Sequence, residues 1–399
     1  MRRMMLVVAA LACFQVQAAE HGGHEAADKA CDRPTLACAK AVTPWVAADG
    51  TLWLAWSAGG VVSVAAATPD GALRTKPVVV SGGPALVDDN GEARPKVFAD
   101  GKGLVLATWT VRAEKGFTGR VFVARSQDGG QSFSPPAALT PDTVSQRFET
   151  VVPLADGRLL GLWIDKRVAA SAKRDGRAYA GAALAGAVSS DGGQSFSGET
   201  ILSDNSCECC RLATASLPDG GAAVIWRHIY DGGVRDHAAA RVDGGAVTML
   251  SRVAVDDWPV QACPHHGPAL AVDDMGRWHV AWYTKGNNRK GLFLARSDDG
   301  GRSWGAPAAI GNPAQGPGHP ALMAVGRTLW LAWKEFDGES ASIKVQHSTD
   351  GGGTWSEAVA AARTWNASDH PQLVALDGKA KLSWATRDEG WRLFDLEAH

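Results

Sequence analysis

Ala269-Leu-Ala-Val-Asp273, then Trp278-His-Val-Ala-Trp282, then Gly291-Leu-Phe-Leu-Ala-Arg296 and the turn Ser297-Asp-Asp-Gly-Gly-Arg-Ser-Trp304 decide how this chain folds. Short apolar runs bounded by Gly and Asp read as strands joined by tight turns. The unit returns as Ala321-Leu-Met-Ala-Val325 followed by Leu329-Trp-Leu-Ala-Trp333. Counting the tryptophan that ends each second strand gives Trp56, Trp109, Trp163, Trp226, Trp282, Trp333 and Trp384, spaced 53, 54, 63, 56, 51 and 51 residues apart. A period of this length, built from strands and turns, is the pattern of a β-propeller whose blades repeat around an axis. Residues 43–399 hold the repeats as one all-β domain, and seven blades are expected, with six as the alternative. The last copy stops after three strands, so Thr35 to Val42, within an N-terminal segment of residues 19–42, is expected to supply a closing outer strand.

Composition narrows the partners. The chain has 399 residues, 40 Lys+Arg against 42 Asp+Glu, and a formal net charge of −2. That balance offers no field for nucleic acid. Beyond the N-terminus no apolar run approaches the ~20 residues that span a bilayer, and a monomer is expected. Arg2 and Arg3, the apolar run Met4 to Phe14 and the small residues before Ala19 read as a signal peptide over residues 1–18. The expected location is therefore periplasmic or secreted; lipid anchoring at Cys13 is the alternative.

Four turns fit Ser-x-Asp-x-Gly-x-(Ser/Thr)-(Phe/Trp): Ser126 to Phe133, Ser189 to Phe196, Ser297 to Trp304 and Ser348 to Trp355. They resemble the Asp-box (BNR) repeats of the sialidase-like propeller superfamily. The segments Cys207–Arg211, 226–237 and 263–270 also resemble a bacterial exported subgroup often labelled exo-α-sialidase. The resemblance implies a propeller fold, but superfamily members include glycosidases, assembly factors and binding modules, so it does not settle the chemistry.

The repeat register brings the lead-ins to the inner strands onto one axial mouth: Arg94-Pro95, Arg147, Cys209-Cys210-Arg211, Cys263-Pro-His265-His266, His319-Pro320 and His370-Pro371. Cys207, Cys209, Cys210, Cys263, His265 and His266 lie on adjacent blades, with His237, His319 and His370 behind them. Thiolate and imidazole donors suit copper, with zinc as the alternative. Disulfides or a catalytic thiol are the competing readings, and a Cys31–Cys38 disulfide is expected separately. Cleavage after Ala18 would leave Ala19-Glu20-His21, an amine, amide and imidazole set of the kind Cu(II) prefers. The leading expectation is an exported metal-handling propeller. Two alternatives stand beside it. One is a non-catalytic module, its mouth closed by disulfides, that binds an envelope protein. The other is an enzyme, either a copper-dependent oxidoreductase or a sialidase-type exo-glycosidase. For the glycosidase, the resemblance implies three arginines on a substrate carboxylate, a Tyr nucleophile and acidic partners. Arg94, Arg211 and Arg235, Tyr230 and Tyr283, and Asp165 and Glu335 are the residues available for those roles, although the family's Phe-Arg-Ile-Pro motif has no counterpart.

Overall fold

The computed structural model describes residue 31 and residues 33–113 and 118–398. The leader, Cys13 and His21 lie outside the described residues. From residue 32 onward the chain forms seven small antiparallel sheets. They span residues 42–79, 96–138, 146–206, 213–252, 269–310, 318–364 and 372–396, and are numbered here as blades 1 to 7. Each sheet runs in simple up-and-down order from an inner strand beside the axis. Seven blades are thus the observed number. No helix among the described residues is long and apolar enough to cross a membrane.

The periodic tryptophans explain why the sheets stack. Trp56, Trp109, Trp163, Trp226, Trp282, Trp333 and Trp384 are all essentially fully buried. Each sits in a cluster of buried aliphatic neighbours, as where Trp226 shares one with Leu160, Leu162 and Val224 across blades 3 and 4. Large flat side chains at one fixed register let every blade bury the same face against the next. Indole N–H groups so deeply placed need acceptors. Trp163 donates to Asp165 at 2.8 Å, Trp282 to Asp256 at 2.7 Å and Trp333 to Glu335 at 2.8 Å.

The four Ser-x-Asp turns share one bonding pattern. In the first, Ser126 Oγ donates to Asp128, and Asp128 in turn accepts from the Gln131 and Ser132 N–H groups and from Ser132 Oγ. The same set forms around Asp191 and Asp350. Around Asp299 the serine contacts repeat.

The seventh sheet has three strands among the described residues. The expected closing strand from Thr35 to Val42 is not formed. Leu36–Cys38 instead makes a 3₁₀ turn, and Val42 opens the inner strand of blade 1. The turn is held by packing, because Leu36 and Cys38 sit in the cluster that contains Trp391 and Leu393. Cys31 and Cys38 are in the disulfide-bonded state.

Closure of the ring falls to side chains. Asp369, on the lead-in to blade 7, accepts both Arg94 Nη1 and Nη2 at 2.8 Å and the Val42 N–H at 3.2 Å. Arg94 and Asp369 are almost completely buried. Removing one partner strands the other charge. Arg94→Met is therefore expected to lower the unfolding free energy by about 3–5 kcal/mol, measured by urea denaturation. The double variant Arg94→Met/Asp369→Leu is expected to lose less than the single one; an equal or larger loss would refute the stranded-charge account.

Candidate active site

Proline follows the axial residue in four blades, at Pro95, Pro268, Pro320 and Pro371. The inner strand faces the axis with no neighbouring strand, so a residue lacking an N–H loses nothing there. The residue before each proline is pushed to the mouth: Arg94, Gly267, His319 and His370. His319 holds a left-handed backbone, φ 52°, at a register shift between Gly318 and Ala321. Such strain in a non-glycine residue is characteristic of functional positions.

Glu92 organises this mouth. Its buried carboxylate accepts Arg211 Nη1 at 2.5 Å through one oxygen. The other oxygen takes the Gly267 N–H at 2.8 Å and the Arg211 N–H at 3.1 Å. Nδ1 of His319 and Nδ1 of His370 stand 3.5 and 3.6 Å from Glu92 Oε1. Burial alone would raise the Glu92 pKa, but the Arg211 guanidinium beside it holds it well below the usual range. Two glycines make room for the cluster. A Cβ on Gly267 would meet Arg211 Cγ at 2.3 Å, and one on Gly91 would meet the His370 ring at 2.3 Å.

Above the carboxylate four rings form a continuous pile. Tyr283 and His266 stack with centroids 4.1 Å apart, His266 and His319 at 4.3 Å, and His319 and His370 at 3.6 Å, all within 23° of parallel. Burial pushes His266 down to about 3, and it lowers His319 and His370 as well, so all three imidazoles are neutral near pH 7. Trp258 meets Tyr283 edge-on, and the Arg227 guanidinium lies 4.8 Å over the Trp258 ring while donating to the His266 and Tyr283 carbonyls. Beneath the pile a cavity of about 230 Å³ runs along the axis, lined by Glu92, Arg94, Lys96, Glu149 and Arg211 among others.

The expected mixed Cys/His shell is not built. Cys207, Cys209 and Cys210 gather with each other, buried, with Cys207 and Cys209 sulfurs 3.4 Å apart. Among the described residues, ligating atoms converge within 4.8 Å only in that trio and in Glu92, His319 and His370. Cys263 and His265 are exposed, outside both groups. His237 is fully buried behind Arg227 with neither ring nitrogen partnered. The thiols separate from the imidazoles because Cys207 N–H bonds the Arg227 carbonyl and Arg235 donates to Cys207 Sγ at 3.3 Å. Hydrogen bonds from Cys209 and Cys210 draw the Cys207 thiol well below its usual pKa, and the hydrogen bond to Cys207, with burial, pushes Cys210 up to about 12.

The residues suited to a sialidase are dispersed. Arg94 is spent on Asp369, Arg211 on Glu92 and the Pro320 carbonyl, and Arg235 on Cys207. Asp165 and Glu335 serve buried indoles, and Tyr230 lies under the Arg252 guanidinium at 4.2 Å, its phenol pKa raised by burial. Of those residues, Tyr283 alone reaches the ring pile. Glu92 escaped the sequence reading altogether; its place two residues before Arg94-Pro95 was the available signal.

No known family and no curated protein matches the sequence. Solved structures do match. An ulvan lyase of polysaccharide lyase family PL25, bound to -[GlcA(1-4)Rha3S]-, is 11% identical, covers 87% of this chain and 90% of its own, and gives a TM-score of 0.55. The polysaccharide lyase Uly1 is 9% identical over 89% of this chain and 90% of its own, at 0.56. An intramolecular trans-sialidase from Ruminococcus gnavus is 12% identical over 76% and 94%, at 0.48. Identities this low define the fold, which is that of the seven-bladed propellers. The metal-handling expectation, which needs a mixed Cys/His shell, gives way here: the thiols and imidazoles do not meet, and the solved structures named above are of carbohydrate-active proteins.

The burial pattern fixes thiol reactivity. A bulky maleimide is expected to label Cys263 rapidly in the native protein, and Cys207, Cys209 and Cys210 only after denaturation. Mass spectrometry of the labelled peptides checks this, and rapid native labelling of the trio would contradict the packing.

Proposed function

We propose that this protein is a carbohydrate-active enzyme that cleaves an acidic glycan at the axial mouth, by β-elimination beside a uronate. The observation that carries the reading is the way the mouth distributes its proton-transfer groups. Every carboxylate named above is held by a cation, a backbone N–H or an indole, so no free pair remains for two-carboxylate hydrolysis. Tyr283 and His266 are half-buried and stacked, and His266 Nδ1 has no hydrogen-bond partner.

Elimination needs few parts. A base removes the proton at C5, the electron pair forms the C4=C5 double bond, and the C4–O4 bond breaks as an acid protonates the leaving oxygen. In this reading His266, neutral near pH 7, takes the C5 proton and Tyr283 gives one to O4. Arg94, Lys96 and Arg211 line the axial cavity as polar donors to a sugar, each also paired with a carboxylate: Asp369, Glu149 and Glu92 respectively. The fold shared with two polysaccharide lyases supports the same class of substrate. Export, proposed from the leader-like residues 1–18, suits an enzyme for polymers that stay outside the cell.

The test is incubation with glucuronate-containing polysaccharides, following ultraviolet absorbance of the unsaturated uronate. His266→Ala and Tyr283→Phe are each expected to lower the rate by about 10²–10⁴-fold. New reducing ends without unsaturation would move the reaction to hydrolysis, and no cleavage of any acidic glycan would overturn the proposal.

A further inference from the structure

We propose that Glu92, His319 and His370 bind one divalent transition-metal ion of the zinc class at the axial mouth. The inference does not rest on the glycan reading, and the thiols take no part in it. Three observations support it. The first is distance. His319 Nδ1 and His370 Nδ1 lie 3.5 and 3.6 Å from Glu92 Oε1. That exceeds the 2.7–3.2 Å or so of a hydrogen bond. It does suit neighbouring ligands around one ion, each about 2.0–2.2 Å from the metal.

The second is the state of the donor atoms. Both Nδ1 atoms are buried and have no hydrogen-bond partner. Buried polar atoms are rarely left so, and two aimed at one carboxylate oxygen call for a shared acceptor of their lone pairs. The third is support behind the ligands. Glu92 Oε2 is fixed by the Gly267 and Arg211 N–H groups, so Oε1 is aimed while retaining lone-pair capacity beside Arg211. Gly91 leaves room for the His370 ring that no side chain would allow.

Two imidazoles and one carboxylate select a borderline divalent ion rather than Cu(I), which prefers sulfur. Three protein ligands leave a position open toward the mouth, the pattern of sites that bind a water or a substrate oxygen.

The test is titration of chelator-stripped protein with Zn²⁺, followed by calorimetry. One equivalent is expected to bind. His319→Ala and His370→Ala are expected to weaken binding on the order of 100-fold or more. The triple variant Cys207→Ser/Cys209→Ser/Cys210→Ser is expected to bind as the wild type does. Because these variants could unfold, the wild type is also loaded with Co²⁺. Visible d–d bands without a thiolate-to-cobalt charge-transfer band would support nitrogen and oxygen ligation. No uptake by wild type, a thiolate band, or unchanged affinity in both histidine variants would overturn the site. Each readout is independent of glycan turnover, so the enzyme proposal can fail while the site stands, or the reverse.

Discussion

A ring of seven sheets must join its first member to its last, and here one buried carboxylate ties that junction across an apolar cluster. Asp369 reaches from blade 7 to the Val42 N–H of blade 1 and to both terminal nitrogens of Arg94 on the way into blade 2. Many propellers could close with a shared sheet, but this one ends in a three-stranded blade among the described residues. A polar clasp does that work instead. Its geometry is bidentate and nearly dry, the circumstance in which an Arg–carboxylate pair is directional as well as strong.

The clasp also builds the mouth. His370 follows Asp369 directly, and Glu92 lies two residues before Arg94. Pulling Arg94 onto Asp369 therefore brings Glu92 beneath the His370 ring, and Arg211 then arrives from blade 4 to neutralise Glu92. The clasp and the mouth are built from adjacent residues, Glu92 and Arg94 on one side and Asp369 and His370 on the other. A change that loosens the first is expected to disorder the second.

Much of the architecture was legible because it repeats. Every blade needs the same indole in the same place, so Trp56 to Trp384 announced the period, and the four Ser-x-Asp turns marked the outer corners. The register also brought Arg211, His266, His319 and His370 to one face. Pairing was harder, since it depends on which neighbour arrives first. Asp165 and Glu335 looked like an acid and a base, yet Trp163-Ile-Asp165 and Trp333-Lys-Glu335 carry a spacing of two. On a strand that spacing puts indole and carboxylate on the same face, and the hydrogen bonds found at 2.8 Å follow. The cysteines were misjudged for a different reason. Their sequence neighbourhood placed them near the histidines, but the Arg227 carbonyl and the Arg235 guanidinium draw Cys207 into its own pocket. Thr35 to Val42 had the composition for an outer strand, and Cys38 instead buries against Trp391 in a short turn.

What remains at the mouth follows from the cost of burying charge. A carboxylate taken from water without a partner is far more expensive than a neutral ring. Along this axis each acidic group therefore carries a cation or several N–H donors, as Glu92 and Asp369 do. Glu92, so paired, is a poor general acid, because the Arg211 guanidinium drives its pKa down. Imidazole and phenol can stand half-buried with one atom unsatisfied at much lower cost. The pile of Tyr283, His266, His319 and His370 is the consequence. The groups of this mouth that carry no charge partner are aromatic rings, and Glu92 stands beside two of them.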